Sequence, residues 1–272
     1  MTTTDPSPSL GVRLGGGKAA DVHAWGGDKV IKLYRADIPT RRIEAEAINS
    51  DSLRTAGLPV PRFFGHVEIA GRRGSIFERV EGRSMSASLR LNPFRLTGLA
   101  RQLADIHRLI HGTERSQLPP VVDNLRRVIA GAPIFTAGQR DKLMALLQSL
   151  PLGASVCHFD FHPSNVILSP RGPVVLDWAS ARHGNPLADV ARTYVLFAID
   201  HLSTPAGPLA KLWNNAFART YLRSYLAGGT RTRDELEHWI TILAAAKLRK
   251  AEAPEIPVLM GLVERGLRNR PP

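Results

Sequence analysis

Asp160, Asn165 and Asp177 are the residues whose types and spacing offer chemistry. The first two lie in Val156-Cys157-His158-Phe159-Asp160-Phe161-His162-Pro163-Ser164-Asn165-Val166-Ile167-Leu168, and the third ends Pro173-Val174-Val175-Leu176-Asp177-Trp178. A carboxylate such as Asp160 can take the proton of a hydroxyl, while an amide oxygen and a second carboxylate are hard donors suited to Mg²⁺. Together they form the polar set that phosphoryl transfer from a magnesium nucleotide requires. The apolar runs Val166 to Leu168 and Val174 to Leu176 are expected to be short strands that bring the three oxygen-bearing side chains around one magnesium-bound triphosphate.

The elements that must position these groups divide the chain in two. Residues 10 to 82 read as a small strand-rich lobe with one helix. Strands are expected at Val12 to Leu14 and Asp21 to Trp25, around the turn Gly15-Gly16-Gly17-Lys18, and at Lys29 to Tyr34 after Gly26-Gly27-Asp28. Pro39 and Thr40 open a helix to about Thr55, in which Ile43, Ala47 and Ile48 keep helical spacing, and Gly57 is its stop. Strands Phe63 to Ile69 and Gly74 to Val80 surround Gly71-Arg72-Arg73, and Glu81-Gly82 is the joint. Beyond it the period becomes helical. Leu96, Leu99, Leu103, Ile106 and Ile110 make one stripe, Val121 to Ala130 a second helix, and Thr136 with Gln139 has capping-box spacing for a third ending near Leu150. Four more helical patterns fill 187 to 268, before a basic tail. The expected class is α+β, with an N-terminal lobe at 1–82 and a larger, mainly helical lobe at 83–272.

Composition narrows the setting. A chain of 272 residues can bury a full core, and 43% hydrophobic with 22% charged residues is ordinary for a globular protein. One cysteine, Cys157, permits no internal disulfide and fits a reducing compartment. The start MTTTDPSPSLG lacks the basic and apolar regions of a signal peptide and reads as a short disordered lead. No apolar run has the length of a bilayer span. The expectation is a soluble, cytoplasmic protein with no membrane partner. The net charge of +12 comes from scattered arginines, 29 of 36 basic residues. Without an RGG repeat or basic-aromatic motif, nucleic acid is not the expected partner. That charge repels a polycationic substrate at long range and favours a neutral or anionic one.

The pattern His158-Asp160-His162-Asn165, then Asp177-Trp178, resembles the H-x-D-x-H-x-x-N and D-W or D-F motif of the aminoglycoside phosphotransferase and choline kinase family. Gly184-Asn185-Pro186-Leu187-Ala188-Asp189-Val190-Ala191 is similar to its G-x-P-x-x-D-L-A segment, so the likeness spans residues 10 to 200. It implies a protein-kinase-like bilobal fold: a small N-terminal antiparallel sheet with one helix, and a larger helical lobe. It implies that Lys32, in Val30-Ile31-Lys32, binds the α- and β-phosphates. It places the orienting carboxylate at Glu46, eleven residues before Gly57 of Gly57-Leu58-Pro59-Val60-Pro61, with Glu44 one register slip away. Gly15-x-Gly17-x-x-Ala20-x-Val22 approximates the kinase glycine loop, whose N–H groups cover the phosphates, with Ala20 in place of the third glycine. A Walker loop is excluded, because Lys18 is followed by Ala19 and not by a hydroxyl residue. Phe77-Glu78-Arg79-Val80 matches the hinge strand, where the base would bond to the Glu78 carbonyl and the Val80 N–H; this leaves ATP and GTP both open. Asp160 is then the catalytic residue, and Asn165 and Asp177 hold Mg²⁺. His158 props the loop, His162 packs or touches phosphate, and Asp189 ties the loop down from the following helix.

Other assignments compete. Cys157, His158, Asp160 and His162 suggest zinc, but Val156 to Phe161 alternates as a strand, sending neighbours to opposite faces, and zinc leaves Lys32, Asn165 and Asp177 unused. Asp177-Trp178-Ala179 replaces Asp-Phe-Gly, and the short run to Asp189 leaves no room for a long activation loop. The expected enzyme is a constitutively competent Mg²⁺-dependent kinase, monomer or homodimer, that phosphorylates a small-molecule hydroxyl. Antibiotic inactivation comes first, and a metabolic sugar, amino-alcohol or choline kinase second. A nucleotide-binding pseudokinase is opposed by the intact Lys32, Asp160, Asn165 and Asp177. An RNA-binding protein is suggested by the charge alone.

Overall fold

The β-rich start of the chain pairs as its alternating pattern dictates. In the computed structural model, which describes residues 10–200, 208–227 and 232–268, strands β1 (Leu10–Gly16), β2 (Ala20–Trp25), β3 (Lys29–Tyr34), β4 (Phe63–Ile69) and β5 (Arg72–Glu78) form an antiparallel sheet. Its order is β1-β2-β3-β5-β4. The period of two puts Ile31 and Leu33 on one face with Trp25, packed by Val67, Ile69 and Ile76. Lys32 and Tyr34 take the other face, where Tyr34 packs with Ala20 and with Ile43 of helix α1 (Thr40–Thr55). Of the expected disordered lead MTTTDPSPSLG, Leu10 and Gly11 instead open β1, while residues 1–9 and the last residues of the basic tail lie outside the described residues.

Three local expectations are corrected. Gly15 and Gly16 belong to β1, paired with Val22 and Asp21, so the turn is shorter and is closed by the Gly17 N–H on Ala20 O at 2.9 Å. The β4–β5 turn is Ala70-Gly71, with φ of 49° and 73°, a two-residue hairpin whose positive φ values match the twist of its strands. β5 therefore starts at Arg72 and ends at Glu78. In α1 the buried stripe is Ile43, Glu46, Ala47, Ser50 and Leu53, while Ile48 is 67% exposed, because one residue is a turn of about 100° away from the Ala47 face.

The chain divides into two compact units. The first joins residues up to Ser84 with Asn165–Ser180, through a three-stranded sheet of β6 (Arg83–Ser84), β8 (Val166–Ser169) and β9 (Gly172–Val175) in the order β6-β8-β9. Gly82, at φ 126°, makes this pairing possible, since a Cβ there would stand 2.3 Å from Leu168 O.

The second unit holds Met85–Ser164 and the chain from Ala181 onward. It contains α2 (Met85–Leu91), α3 (Leu96–His111), α4 (Val121–Ala130), α5 (Ala137–Ser149), α6 (Pro186–Asp200), α7 (Pro208–Leu226), α8 (Arg233–Leu248) and α9 (Ile256–Arg268), and the strand pair β7 (Ser155–Cys157) with β10 (Arg182–Gly184). The α3 stripe from Leu96 to Ile110 is buried throughout, and Thr136 and Gln139 form the expected capping box of α5. The strand expected through Phe161 ends at Cys157. Asp189 captures the next two N–H groups and Phe159 turns to φ 63°, so strand parity does not place His158 and Asp160. Among the described residues no helix is long and apolar enough to cross a membrane.

Candidate active site

Lys32 lies on the face of β3 covered by α1, and that burial decides its partners. Its Nζ donates to Glu46 Oε1 at 2.7 Å and Oε2 at 2.8 Å, and lies 3.3 Å from Asp177 Oδ1. Tyr34, two residues along the same face, donates its hydroxyl to Glu46 Oε2 at 2.9 Å. Glu46 shares the buried stripe of α1 with Ile43 and Ala47, whereas Glu44 is exposed, so of the two candidates it is Glu46 that meets the lysine. Burial disfavours the lysine's charge, but Glu46 and then Asp177 outweigh it, and its pKa is pushed up. The Glu46 pKa is also pushed up, because burial and the nearby Asp177 exceed what Lys32 and Tyr34 return. The outcome is a fixed ammonium between one enclosed carboxylate and one that is 30% exposed.

Asn165 and Asp177 flank one hairpin, β8–β9. Val166 pairs with Val175, and the Leu176 N–H donates to Asn165 O at 2.8 Å. Asp177 itself sits at φ 63°, a conformation that a non-glycine residue keeps only when its surroundings enforce it. The enforcement comes from Trp178. It is fully buried, its Nε1 donates to Val175 O at 2.9 Å, and its carbonyl accepts from Asn49 Nδ2 of α1 at 2.9 Å. An amide oxygen and a carboxylate are hard donors that fit Mg²⁺, and the carboxylate lies 3.3 Å from the Lys32 ammonium.

Asp160 belongs to the second unit, in a loop clamped by α6. Asp189, at the first turn of α6, accepts the backbone N–H of His158 and that of Phe159, the latter at 2.8 Å. His107 Nε2 and His111 Nε2 of α3 reach its Oδ2 at 3.0 and 3.3 Å. Burial alone would raise the Asp189 pKa, but His107 and His111 hold it well below the carboxylate range. Each imidazole is fixed from its other side: His107 Nδ1 contacts Tyr221 Oη at 2.6 Å, and His111 Nδ1 contacts Tyr225 Oη at 2.7 Å. Thr193 Oγ1 donates to Phe161 O at 2.9 Å, and Arg192 Nε donates to Phe159 O at 3.4 Å. Burial pushes the Arg192 pKa down against the charges of Asp160, Asp189 and Glu255. The buried His158 Nδ1 accepts the Asp160 N–H at 3.2 Å, and His162 Nδ1 accepts the Ser164 N–H at 3.3 Å. Both histidines brace the loop.

Gly15 and Gly17 have no atom within 4 Å of where a Cβ would stand, so their backbone is open on that side. The Glu78 side chain accepts the Arg62 N–H at 3.2 Å and pairs with Arg171, and Val80 is half-buried just beyond the end of β5.

A model of the phosphotransferase enzyme family matches residues 13–239. The chain belongs to this family. Several solved structures share the fold of this phosphotransferase at low identity. A thermostable mutant of aminoglycoside phosphotransferase APH(4)-Ia, in ternary complex with AMP-PNP and hygromycin B, is 18% identical at a TM-score of 0.65, over 94% of this chain and 92% of that one. A choline/ethanolamine kinase family protein from Mesorhizobium loti is 16% identical at 0.62, over 98% and 90%. Aminoglycoside-3'-phosphotransferase of type VIII is 21% identical at 0.61, over 89% and 94%. A comparison with curated proteins finds no match.

Several residues that pack around these groups in this phosphotransferase escaped the sequence. Tyr34 carried a signal, since strand parity puts it on the face of Lys32. His107 with His111, and Tyr221 with Tyr225, carried another, as polar pairs four apart on helices. Arg192 carried none, being one arginine among 29.

Proposed function

We propose that this phosphotransferase is a small-molecule kinase that transfers the γ-phosphoryl group of a nucleoside triphosphate to an acceptor hydroxyl. The observation that carries this reading is Lys32 fixed between Glu46 at 2.7 Å and Asp177 at 3.3 Å, with Asp177 following the hairpin that Asn165 precedes. In the reaction the acceptor oxygen bonds to the γ-phosphorus as the bond to the β-phosphate oxygen breaks. The hydroxyl proton passes to the Asp160 carboxylate and the nucleoside diphosphate leaves. Lys32 binds the phosphate oxygens, oriented by Glu46, and the N–H groups of Gly15 and Gly17 cover them. Asn165 and Asp177 would hold Mg²⁺, which would supply neutralisation of the charge on the transferring phosphoryl group. The Glu78 carbonyl and the Val80 N–H seat the base, so ATP and GTP are both candidate donors.

For the acceptor, the net charge of +12 favours a neutral or anionic sugar- or nucleoside-bearing molecule over a polycation. An antibiotic of that kind is the first choice. A metabolic sugar or amino-alcohol is the second, supported by the likeness to a choline/ethanolamine kinase family protein. The single cysteine supports a cytoplasmic setting.

The test is a screen of antibiotics and metabolites for a mass increase of one phosphoryl group, with ATP and with GTP, repeated with Asp160→Asn. We expect modification of at least one acceptor, and a fall in turnover of at least about a hundredfold in the variant, with nucleotide binding retained. Near-wild-type turnover by Asp160→Asn would overturn the role of Asp160. Mg-nucleotide binding without transfer to any acceptor would favour a pseudokinase.

A further inference from the structure

Helices α6 to α9 of the second unit enclose a groove of about 630 Å³. Helical spacing builds it: Arg219, Leu222, Arg223 and Leu226 fall on one face of α7, the face opposite the buried Tyr221 and Tyr225. Across from them, α8 presents Arg233 and Ile240, and α9 presents Arg265. The two latter helices approach closely because position 266 is glycine; a Cβ there would stand 1.8 Å from Thr241 Oγ1.

The charge of this groove is one-sided. Four arginines face one glutamate, Glu237, and that carboxylate already pairs with Arg233 at 3.4 Å. Among the described residues Arg219, Arg223 and Arg265 have no hydrogen bond or ion pair. Between the guanidinium groups lie half-buried leucine and isoleucine side chains.

The groove is also remote from the catalytic loop. On α6, Arg192 faces Asp160 and Tyr194 lines the groove, and two residues are about 200° apart on a helix. Arg192 also faces Glu255, which pairs with Lys247 at 2.7 Å near the α8–α9 turn. Glu237 is ten residues back along α8 from Lys247, or about 15 Å.

We propose that this groove is a second ligand site, for a small anionic amphiphile with a phosphate or carboxylate head and an apolar body. Guanidinium forks match both head groups, and the apolar bed supplies the hydrophobic contribution that distinguishes such a ligand from a free inorganic ion. A site of this volume holds a molecule of ordinary metabolite size. The proposal stands whether or not the kinase assignment holds.

Calorimetric titration of the full chain with octyl phosphate, octanoate, octanol and inorganic phosphate, each below micelle-forming concentration, tests it. One or both amphiphilic anions should bind saturably at one site, at least tenfold more tightly than octanol or inorganic phosphate, and the comparison of the two identifies the head group. Arg223→Gln with Arg265→Gln should weaken binding at least tenfold and leave any phosphotransfer activity unchanged. Hydrogen exchange on the unmodified chain gives a readout independent of variant folding: the bound anion should protect 219–226 and 233–241. Displacement of the anion by AMP-PNP with Mg²⁺, protection confined to 20–34, or equal binding of octanol would each overturn the proposal.

Discussion

The Tyr34 hydroxyl donates to Glu46 Oε2 at 2.9 Å, so the enclosed carboxylate that grips Lys32 is itself gripped from a second side. A buried carboxylate stays ionised only as far as donors offset its desolvation. Tyr34→Phe removes one donor and little volume. It should cost about 2 kcal/mol of stability in urea denaturation. If the kinase assignment holds, the acid limb of its pH–rate profile should move to higher pH while the alkaline limb stays in place. An unshifted acid limb would mean that Tyr34 only packs.

Removing the lysine strands Glu46 inside the first unit. Lys32→Met should destabilise by about 3 kcal/mol at neutral pH, the order expected when one partner of a buried pair is lost. The folded pKa of Lys32 is raised above 10.5, so the contribution of the pair is complete below 10.5 and is lost as pH rises through the folded value. Denaturation of wild type and Lys32→Met across the alkaline range should show their difference shrinking as pH rises through the folded value.

Asp189 has the opposite sign. Its folded pKa is held below the ordinary 3.8, so its contribution is present above 3.8 and is lost as pH falls through the folded value. Asp189→Asn should therefore cost about 3 kcal/mol at pH 7, and less under strongly acid conditions. Amide exchange at His158 and Phe159, whose N–H groups the carboxylate holds, should accelerate more than the average for the second unit. Equal destabilisation at both pH extremes would show that charge is not what Asp189 contributes.

Two glycines should behave differently. Gly82→Ala combines φ 126° with a Cβ 2.3 Å from Leu168 O, and should destabilise by about 3 kcal/mol and loosen the β6–β8 pairing. Gly17→Ala meets no atom within 4 Å and should change stability by less than about 1 kcal/mol. Any effect of Gly17→Ala on nucleotide affinity would then report on phosphate contact. Thermal denaturation and nucleotide titration of both variants separate the cases.

Much of the architecture was legible because it is written in local periods. The run Lys29 to Tyr34 after a glycine turn marked a strand, the α3 stripe defined a helix, and Thr136 with Gln139 marked a helix start. The errors arose where a neighbour overrode the local pattern. Val156 to Phe161 alternates, yet the extended run stops at Cys157, because a carboxylate 31 positions later captures the His158 N–H. Ile48 suited the hydrophobic count of its helix, but Glu46 occupies the interior, because only there does it reach Lys32.

The sequence alone determined that Asp160, Asn165 and Asp177 stand at the spacing of a family motif, that Lys32 lies within a strand, and that the chain carries a large positive charge. Spacing and polarity along a chain are properties of the chain. Tertiary structure decided between Glu44 and Glu46, recruited Tyr34, fixed Asp177 at φ 63° through Trp178, and gathered arginines from three helices around one groove. Those outcomes depend on which distant side chains share an enclosed space, where the cost of an unpaired charge or N–H selects one arrangement over the others.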